Sequence, residues 1–457
     1  MKKIAQRTTA CLLLLLFMAG GFGFHFAGLV KNGGEWASFP VNRHAFSNAN
    51  LSVGSIIDRN GEVLAAVDNG QRIFSENELT RRATLHVTGD EQGNIGTGAL
   101  SYYARELMGY SIVNGVYSLF DSGNIVQLTI DSTLNKIAFE ALGSNKGAVV
   151  FYNYRTGEVL CMTSAPSFDP YYPLNEQQLN TGAYEGAYIN RCVSSSYTPG
   201  SVFKVITLAA AIENIPELFD MKFYCPGYID IDGERIHCSG IHNNCDIYEA
   251  FAFSCNVAFA ELAQILKSKT LEKYARNFGL TESFKMSGMP VAGGGFSAAP
   301  DGSSNLSWSG IGQYDDLVNP LAMARVMAAV ANGGVAVNPR IVKGVTAELG
   351  YPTALGFSLR TSERLMKKTT ADILSEMLRY NAENVYAGYY GLSEIKGLSA
   401  KTGTAELRSG EPPHAWFTGF INDARYPVAF SVIVESSGWG LQYAVPVAQA
   451  VLNEIIK

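Results

Sequence analysis

The sequence predicts an α+β protein: an antiparallel sheet flanked by helices, a small β-rich N-terminal stem domain and one transmembrane helix. Three observations carry this. Residues 8–30 contain no Asp, Glu, Lys or Arg. Apolar runs are joined in pairs by tight turns, at Asp58-Arg59-Asn60-Gly61 and at Arg155-Thr156-Gly157. Three strand-like runs, 400–405, 415–420 and 427–434, precede a helical pattern from about 445 to 456.

The 457 residues allow about three folding units. With 47% apolar and 17% charged residues the chain is too hydrophobic for disorder, and 46 Gly and 16 Pro without a period exclude a collagen-like repeat. Lys and Arg number 35 against 41 Asp and Glu, a net charge of −6, so there is no basic footprint for nucleic acid. Seven Cys are far too few for a disulfide scaffold.

Taken in order, the charge-free segment is long enough to cross a hydrocarbon core of about 30 Å. Lys2, Lys3 and Arg7 precede it, which puts the N-terminus in the cytoplasm and everything after Lys31 outside. The alternative is a cleaved signal peptide, but no clear small-x-small cleavage site follows the apolar run. An extracytoplasmic body disfavours ATP- and nicotinamide-dependent chemistry.

Residues 52–66 read as a hairpin, the start of the stem. After Thr80 the pattern weakens until a strand at 125–130 and a helix that Asp131 opens and that runs to about Leu142. The domain boundary is expected near Asn124, giving an anchor over 1–30, a stem over 31–123 and a larger domain over 124–457. A second hairpin over 147–153 and 158–163 begins the larger sheet. Pro199-Gly200 precedes a helix over 201–213, and Asn319-Pro320 opens another through Ala331, closed by Gly333-Gly334.

Ser201-Val202-Phe203-Lys204 sets a hydroxyl and an amine three residues apart on one helical face. A serine becomes a nucleophile when a base takes its proton, and a lysine serves when burial or nearby positive charge brings its pKa toward neutrality. Alone, Ser-x-x-Lys is a common coincidence. Further along, however, Ser254-Cys255-Asn256 and Lys401-Thr402-Gly403-Thr404 follow in the order of the active-serine motif set of β-lactamases and penicillin-binding proteins, the last on an expected edge strand.

On these motifs the chain resembles a class B penicillin-binding protein, a membrane-anchored peptidoglycan D,D-transpeptidase. The stretches 54–61, 128–131, 167–170 and 414–420 are also similar to family signatures. The resemblance implies the penicillin-binding/serine β-lactamase-like transpeptidase fold. It further implies that Ser201 attacks the penultimate D-alanine carbonyl of a stem peptide and forms an acyl-enzyme, with Lys204 as proton acceptor. Ser254 relays a proton to the leaving amine, Asn256 holds the substrate amide, and Lys401 adds positive charge. Thr402 and Thr404 bind the terminal carboxylate, and Gly403 lets the substrate lie against the strand. The backbone N–H groups of Ser201 and Thr404 form an oxyanion hole, worth on the order of 3 kcal/mol per donor. β-Lactams mimic the D-Ala-D-Ala substrate. No second activity is expected in the chain, so a glycosyltransferase partner in the membrane is implied. Trp416 is a candidate for lining the cleft, with core packing the alternative; His414 is expected to be structural.

Cys225, Cys238 and Cys245 share one loop-rich stretch with His237 and His242. Cys225, Cys238, His242 and Cys245 could complete a tetrahedral structural zinc site, against a Cys225–Cys238 disulfide or unpaired thiols. Cys161, Cys192 and Cys255 read as small buried residues. No cofactor is required for the chemistry itself. Rival readings are a D,D-carboxypeptidase or β-lactamase on the same scaffold, and a non-catalytic penicillin-binding sensor. The six His show no triad pattern for a Ser-His-Asp hydrolase.

Overall fold

The computed structural model describes residues 2–38, 54–109, 123–297, 299–347, 350–353, 360–407 and 410–457. One helix, Lys2–Ser38, carries the charge-free segment, and from Lys2 to Gly33 it is long and apolar enough to cross a membrane. The first two residues of the expected stem hairpin, 52–53, lie outside the described residues.

In chain order the strands are β1 (Ser55–Ile57), β2 (Val63–Asp68), β3 (Gln71–Phe74), β4 (Ile125–Leu128), β5 (Gly147–Asn153) and β6 (Val159–Ala165). The cysteine-bearing stretch forms β7 (Phe223–Cys225), β8 (Tyr228–Ile231), β9 (Glu234–His237) and β10 (Asn243–Cys245). There follow β11 (Phe284–Met286), β12 (Met289–Val291), β13 (Val335–Val337), β14 (Val342–Thr346) and β15 (Ser362–Arg364). The chain ends with β16 (Leu398–Ala405), β17 (His414–Ile421) and β18 (Val428–Val434), then the helix Gly440–Ile455.

The principal sheet has the order β16-β17-β18-β5-β6, antiparallel throughout, with β16 at the edge. Its inner strands are apolar on both faces because helices cover both. On β5, Ala148, Val150 and Tyr152 join the core that holds the helix Pro320–Ala331, while Val149 and Phe151 join the core that holds Val445, Val451 and Leu452 of the last helix. This is the period-two alternation of a strand buried from two sides. The expected helix starts hold at two positions. The Asp131 side chain accepts from Thr133 N and Leu134 N, and Asn319 accepts from Leu321 N and Ala322 N ahead of Pro320.

Three expectations change. A second sheet, β14-β4-β1-β2-β3, combines residues on both sides of the boundary expected near 124, with β1 and β4 parallel, so the stem and the larger domain share a sheet. The weak region after Thr80 contains a helix, Glu78–Thr88, capped by Asn77 and packed through Ala83 against Leu134, Ala138 and Phe139. The last helix begins at Gly440 rather than 445. Trp439 supplies no side-chain cap and Pro446 lies inside the helix, so no sequence signal marked its true start.

Candidate active site

The nucleophile segment is a 3₁₀ turn, Gly200–Phe203, and the α-helix proper runs from Lys204 to Asn214. The turn is clamped on two sides. Gly200 has φ +56°, and a Cβ there would stand 2.6 Å from Thr404 O, while a Cβ on Gly312 would stand 2.1 Å from Gly200 O. A Cβ on Gly403 would meet Pro199 O at 2.9 Å and Val202 Cγ1 at 3.0 Å. Glycine at 403 is therefore required for β16 to pack against the nucleophile turn, a stronger reason than the substrate approach inferred from sequence.

Ser254 is placed by a helix ending. The helix Ile247–Ala252 closes with Ser254 N donating to Phe251 O and Cys255 N donating to Ala250 O, the paired bonds of a Schellman motif. Ser254 occupies its left-handed position at φ +56°, where glycine is usual and a side chain is strained. Cys255 then caps the next helix, Asn256–Leu266, its Sγ 3.5 Å from Ala258 N.

The buried amine of Lys204 donates to Ser254 O at 2.7 Å and to Asn256 Oδ1 at 2.7 Å, and lies 3.2 Å from Ser254 Oγ. Lys401 Nζ donates to the same Ser254 hydroxyl at 3.0 Å and to Thr402 O at 3.1 Å. Burial lowers the pKa of Lys204 to about 8, partly opposed by the thiol groups of Cys238 and Cys255. Burial, and then the charge of Lys204, hold Lys401 well below the usual lysine range. Two ammonium groups sharing the hydroxyl of Ser254 repel, so a proton is readily surrendered here. The spacing sets Ser201 and Lys204 on one face, but among the described residues the amine bonds to the Ser254 segment and not to the Ser201 hydroxyl. Ser201, Ser254, Asn256, Thr402, Gly403 and Thr404 all line one cleft of about 620 Å³.

The segment 147–457 matches the family described as the penicillin binding protein transpeptidase domain. The chain belongs to the penicillin-binding protein transpeptidase family. It is 29% identical over 383 residues to the peptidoglycan D,D-transpeptidase PbpA of Mycobacterium tuberculosis, covering 77% of each chain. It is also 29% identical over 413 residues to the stage V sporulation protein D of Bacillus subtilis, covering 81% of this chain and 62% of that protein. Among solved structures, the penicillin G acyl-enzyme complex of penicillin-binding protein A from M. tuberculosis superposes with a TM-score of 0.76 at 26% identity, over 89% of this chain and 99% of that one. The class B assignment and the transpeptidase fold both stand.

Within this penicillin-binding protein, Trp416 does not line the cleft. It is fully buried, and its Nε1 donates to Thr198 O at 2.9 Å, bracing the segment that leads into Ser201. The β16–β17 register explains this, because Trp416 pairs with Gly403 and so faces the nucleophile turn. His414 accepts from Ser436 N at 3.0 Å, a structural contact.

The thiol cluster also differs from expectation. The donor atoms of Cys225, Cys238, His242 and Cys255 lie within 4.8 Å of one another, whereas Cys245 falls outside that set, its Sγ 3.6 Å from Phe223 O and its thiol beside that of Cys255. In the β7–β10 ladder Asn243, not Cys245, pairs with Cys225, which leaves Cys245 two positions away, roughly 7 Å along the strand. Cys255, read as a small buried residue, completes the group. All seven cysteines are free thiols. Asn256 N donates to Cys238 Sγ at 3.2 Å, tying the cluster to the Ser254 turn.

Sequence reasoning also missed Tyr386, whose phenol bonds to Thr402 from a single π-helical turn, Ala382–Tyr386. Nothing in the local pattern marks Tyr386, sixteen residues ahead of the Thr402 it serves.

Proposed function

We propose that this chain is a peptidoglycan D,D-transpeptidase that cross-links stem peptides through an acyl-enzyme on Ser201 and is acylated there by β-lactams. The observation that carries this reading is the convergence of three separated motifs, at Ser201, Ser254 and Lys401, on one cleft, with both lysine amines at the Ser254 hydroxyl.

In this reading neutral Lys204 takes the Ser201 hydroxyl proton as Oγ adds to the scissile carbonyl, while the N–H groups of Ser201 and Thr404 stabilise the oxyanion. The peptide C–N bond then breaks, and the proton passes by way of Ser254 to the departing D-alanine amine. An acceptor amine reverses the sequence, returning a proton through the same groups and freeing Ser201. Asn256 orients both Lys204 and the substrate amide, and the Thr402 and Thr404 hydroxyls receive the terminal carboxylate.

The basic residues Lys2, Lys3 and Arg7 support a cytoplasmic N-terminus with the catalytic body outside the membrane, working beside a glycosyltransferase. The thiol cluster fits a structural zinc. Zn–S bonds of about 2.3 Å set tetrahedral ligands about 3.8 Å apart, close to the 3.9 Å between Cys238 and Cys255 and the 3.5 Å between Cys238 and His242 Nδ1. Cys225, Cys238, His242 and Cys255 would hold the ion. Its contribution is to fix the Ser254–Asn256 turn from behind, with no part in acyl transfer.

Mass spectrometry with labelled penicillin tests the function. A persistent adduct on Ser201, lost in Ser201→Ala, together with transfer of a stem-peptide acyl group to an added amine, is the expected result. Labelling at another residue, or hydrolysis without transfer, would refute it.

A further inference from the structure

Strand β16 is the outer strand of the principal sheet, so one of its edges is open to the cleft. In an antiparallel ladder successive residues alternate the edge to which their N–H and C=O groups point, so the N–H groups of Thr402 and Thr404 share the open edge. They are treated differently. Thr402 N donates to Tyr386 Oη at 3.2 Å, and the same phenol oxygen lies 3.2 Å from Thr402 Oγ1. Tyr386 is 2% exposed, and its ring stands edge-on to Phe417 at a centroid distance of 6.1 Å.

The proton positions follow from counting. The phenol has one proton to give and accepts from Thr402 N–H. If Thr402 Oγ1 also donated to it, the phenol proton would find no acceptor among the described residues, at a cost. The arrangement that satisfies every group has Tyr386 O–H donating to Thr402 Oγ1. The Thr402 hydroxyl proton is then left free to point into the cleft.

We propose that Tyr386 is a specificity-determining, positioning residue that selects ligands ending in a free carboxylate: it aims the Thr402 hydroxyl proton at that carboxylate and occupies the next backbone donor of β16. A chain adding antiparallel to β16 pairs at Thr404 and then meets the phenol where the ladder would continue. The pocket therefore favours a terminal anionic group over a further residue, and over a neutral ester or amide. This rests on the reading of Thr402 as a carboxylate ligand given above.

The experiment measures second-order acylation rates of the full chain in detergent with benzylpenicillin and with its methyl ester. In Tyr386→Phe the rate with the acid is expected to fall about tenfold, the worth of one misdirected hydrogen bond to a charged group. The rate with the ester should change little, so the acid-to-ester ratio falls about tenfold. An unchanged ratio overturns the proposal, whether both rates hold or both drop together, because a purely structural role slows the two alike. Should Tyr386→Phe fold poorly, Tyr386→Met removes the hydroxyl with a more adaptable side chain and must lower the ratio in the same way. Thr402→Ala separates the two readings. A ratio that survives Thr402→Ala overturns the carboxylate role of Thr402 itself, whereas a ratio lost in Thr402→Ala but kept in the Tyr386 variants overturns only the inference about Tyr386.

Discussion

Lys204 donates to Asn256 Oδ1 at 2.7 Å, binding the base of the first motif to the last residue of the second. The pKa of this amine decides when it can act. Burial brings it from 10.5 to about 8, so at pH 7 about a tenth of the molecules carry the neutral form that can accept a proton. The base is inactive when protonated. Acylation by a β-lactam should therefore rise about tenfold per pH unit below about pH 8 and level off above it. Stopped-flow acylation rates across this range check it, and a flat profile between pH 6 and 9 would remove Lys204 from the role.

The metal reading makes a prediction that differs between two cysteines of similar sequence context. Elemental analysis of the purified chain should find about one zinc per molecule. Cys255→Ala should lose it, because Sγ of Cys255 belongs to the cluster, whereas Cys245→Ala should keep it. Because Asn256 N donates to Cys238 Sγ, loss of the metal should also slow acylation while leaving Ser201 the labelled residue. Zinc retained in Cys255→Ala and lost in Cys245→Ala would restore the ligand set expected from sequence.

Arg81 joins the helix Glu78–Thr88 to the larger domain. Its guanidinium makes a two-pronged contact with Asp169, Nε to Oδ1 at 2.8 Å and Nη2 to Oδ2 at 2.6 Å, and Nη1 donates to Ser75 O and Glu76 O at 2.9 Å each. The two side chains are only 11% and 8% exposed. Removing the cation leaves a largely buried carboxylate unpaired, so Arg81→Ala should destabilise the protein by about 3 kcal/mol. The double variant Arg81→Ala/Asp169→Asn should lose less than the sum of the two single changes. Chemical unfolding in detergent measures both, and strict additivity would mean the pair is not coupled.

What could be read from the sequence was what chemistry and strand alternation impose locally. Ser201, Ser254 and Lys401 were legible because they follow in the order and spacing of the active-serine motif set, and β17 and β18 because they are largely apolar. Trp416 was left between cleft and core because the faces of β17 depend on its register with β16, which no single strand encodes. Cys255 was passed over because its sulfur meets Cys238 only after the Schellman turn at Ser254 folds back. The helix after Asn77 was missed because its apolar stripe is short and its partner, Ser132–Leu142, lies some fifty residues on. Tyr386 had no signal at all, since its role exists only across the open edge of β16.

His86 sits on that missed helix and makes the join between stem and larger domain sensitive to acid. It is 1% exposed, its Nε2 is 2.8 Å from Ala187 O, and its Nδ1 is buried without a partner among the described residues. Nε2–H therefore donates to Ala187, and the ring is neutral. Burial lowers its pKa from 6.5 to about 4, outweighing the Ala187 carbonyl, with Arg191 adding a smaller push in the same direction. A folded-state pKa below the unfolded value means that the unfolded chain takes up a proton first as the pH falls. The stability is fully present above pH 6.5 and drains away between 6.5 and about 4, a loss of about 3 kcal/mol. Carboxylates titrate in the same range, so the measurement is a difference: unfolding free energy at pH 7 minus that at pH 4, in the parent and in His86→Gln. Glutamine can still donate to Ala187 O but takes up no proton. The parent should lose about 3 kcal/mol more than the variant over this interval, and equal losses would show that His86 does not set the acid sensitivity of the join.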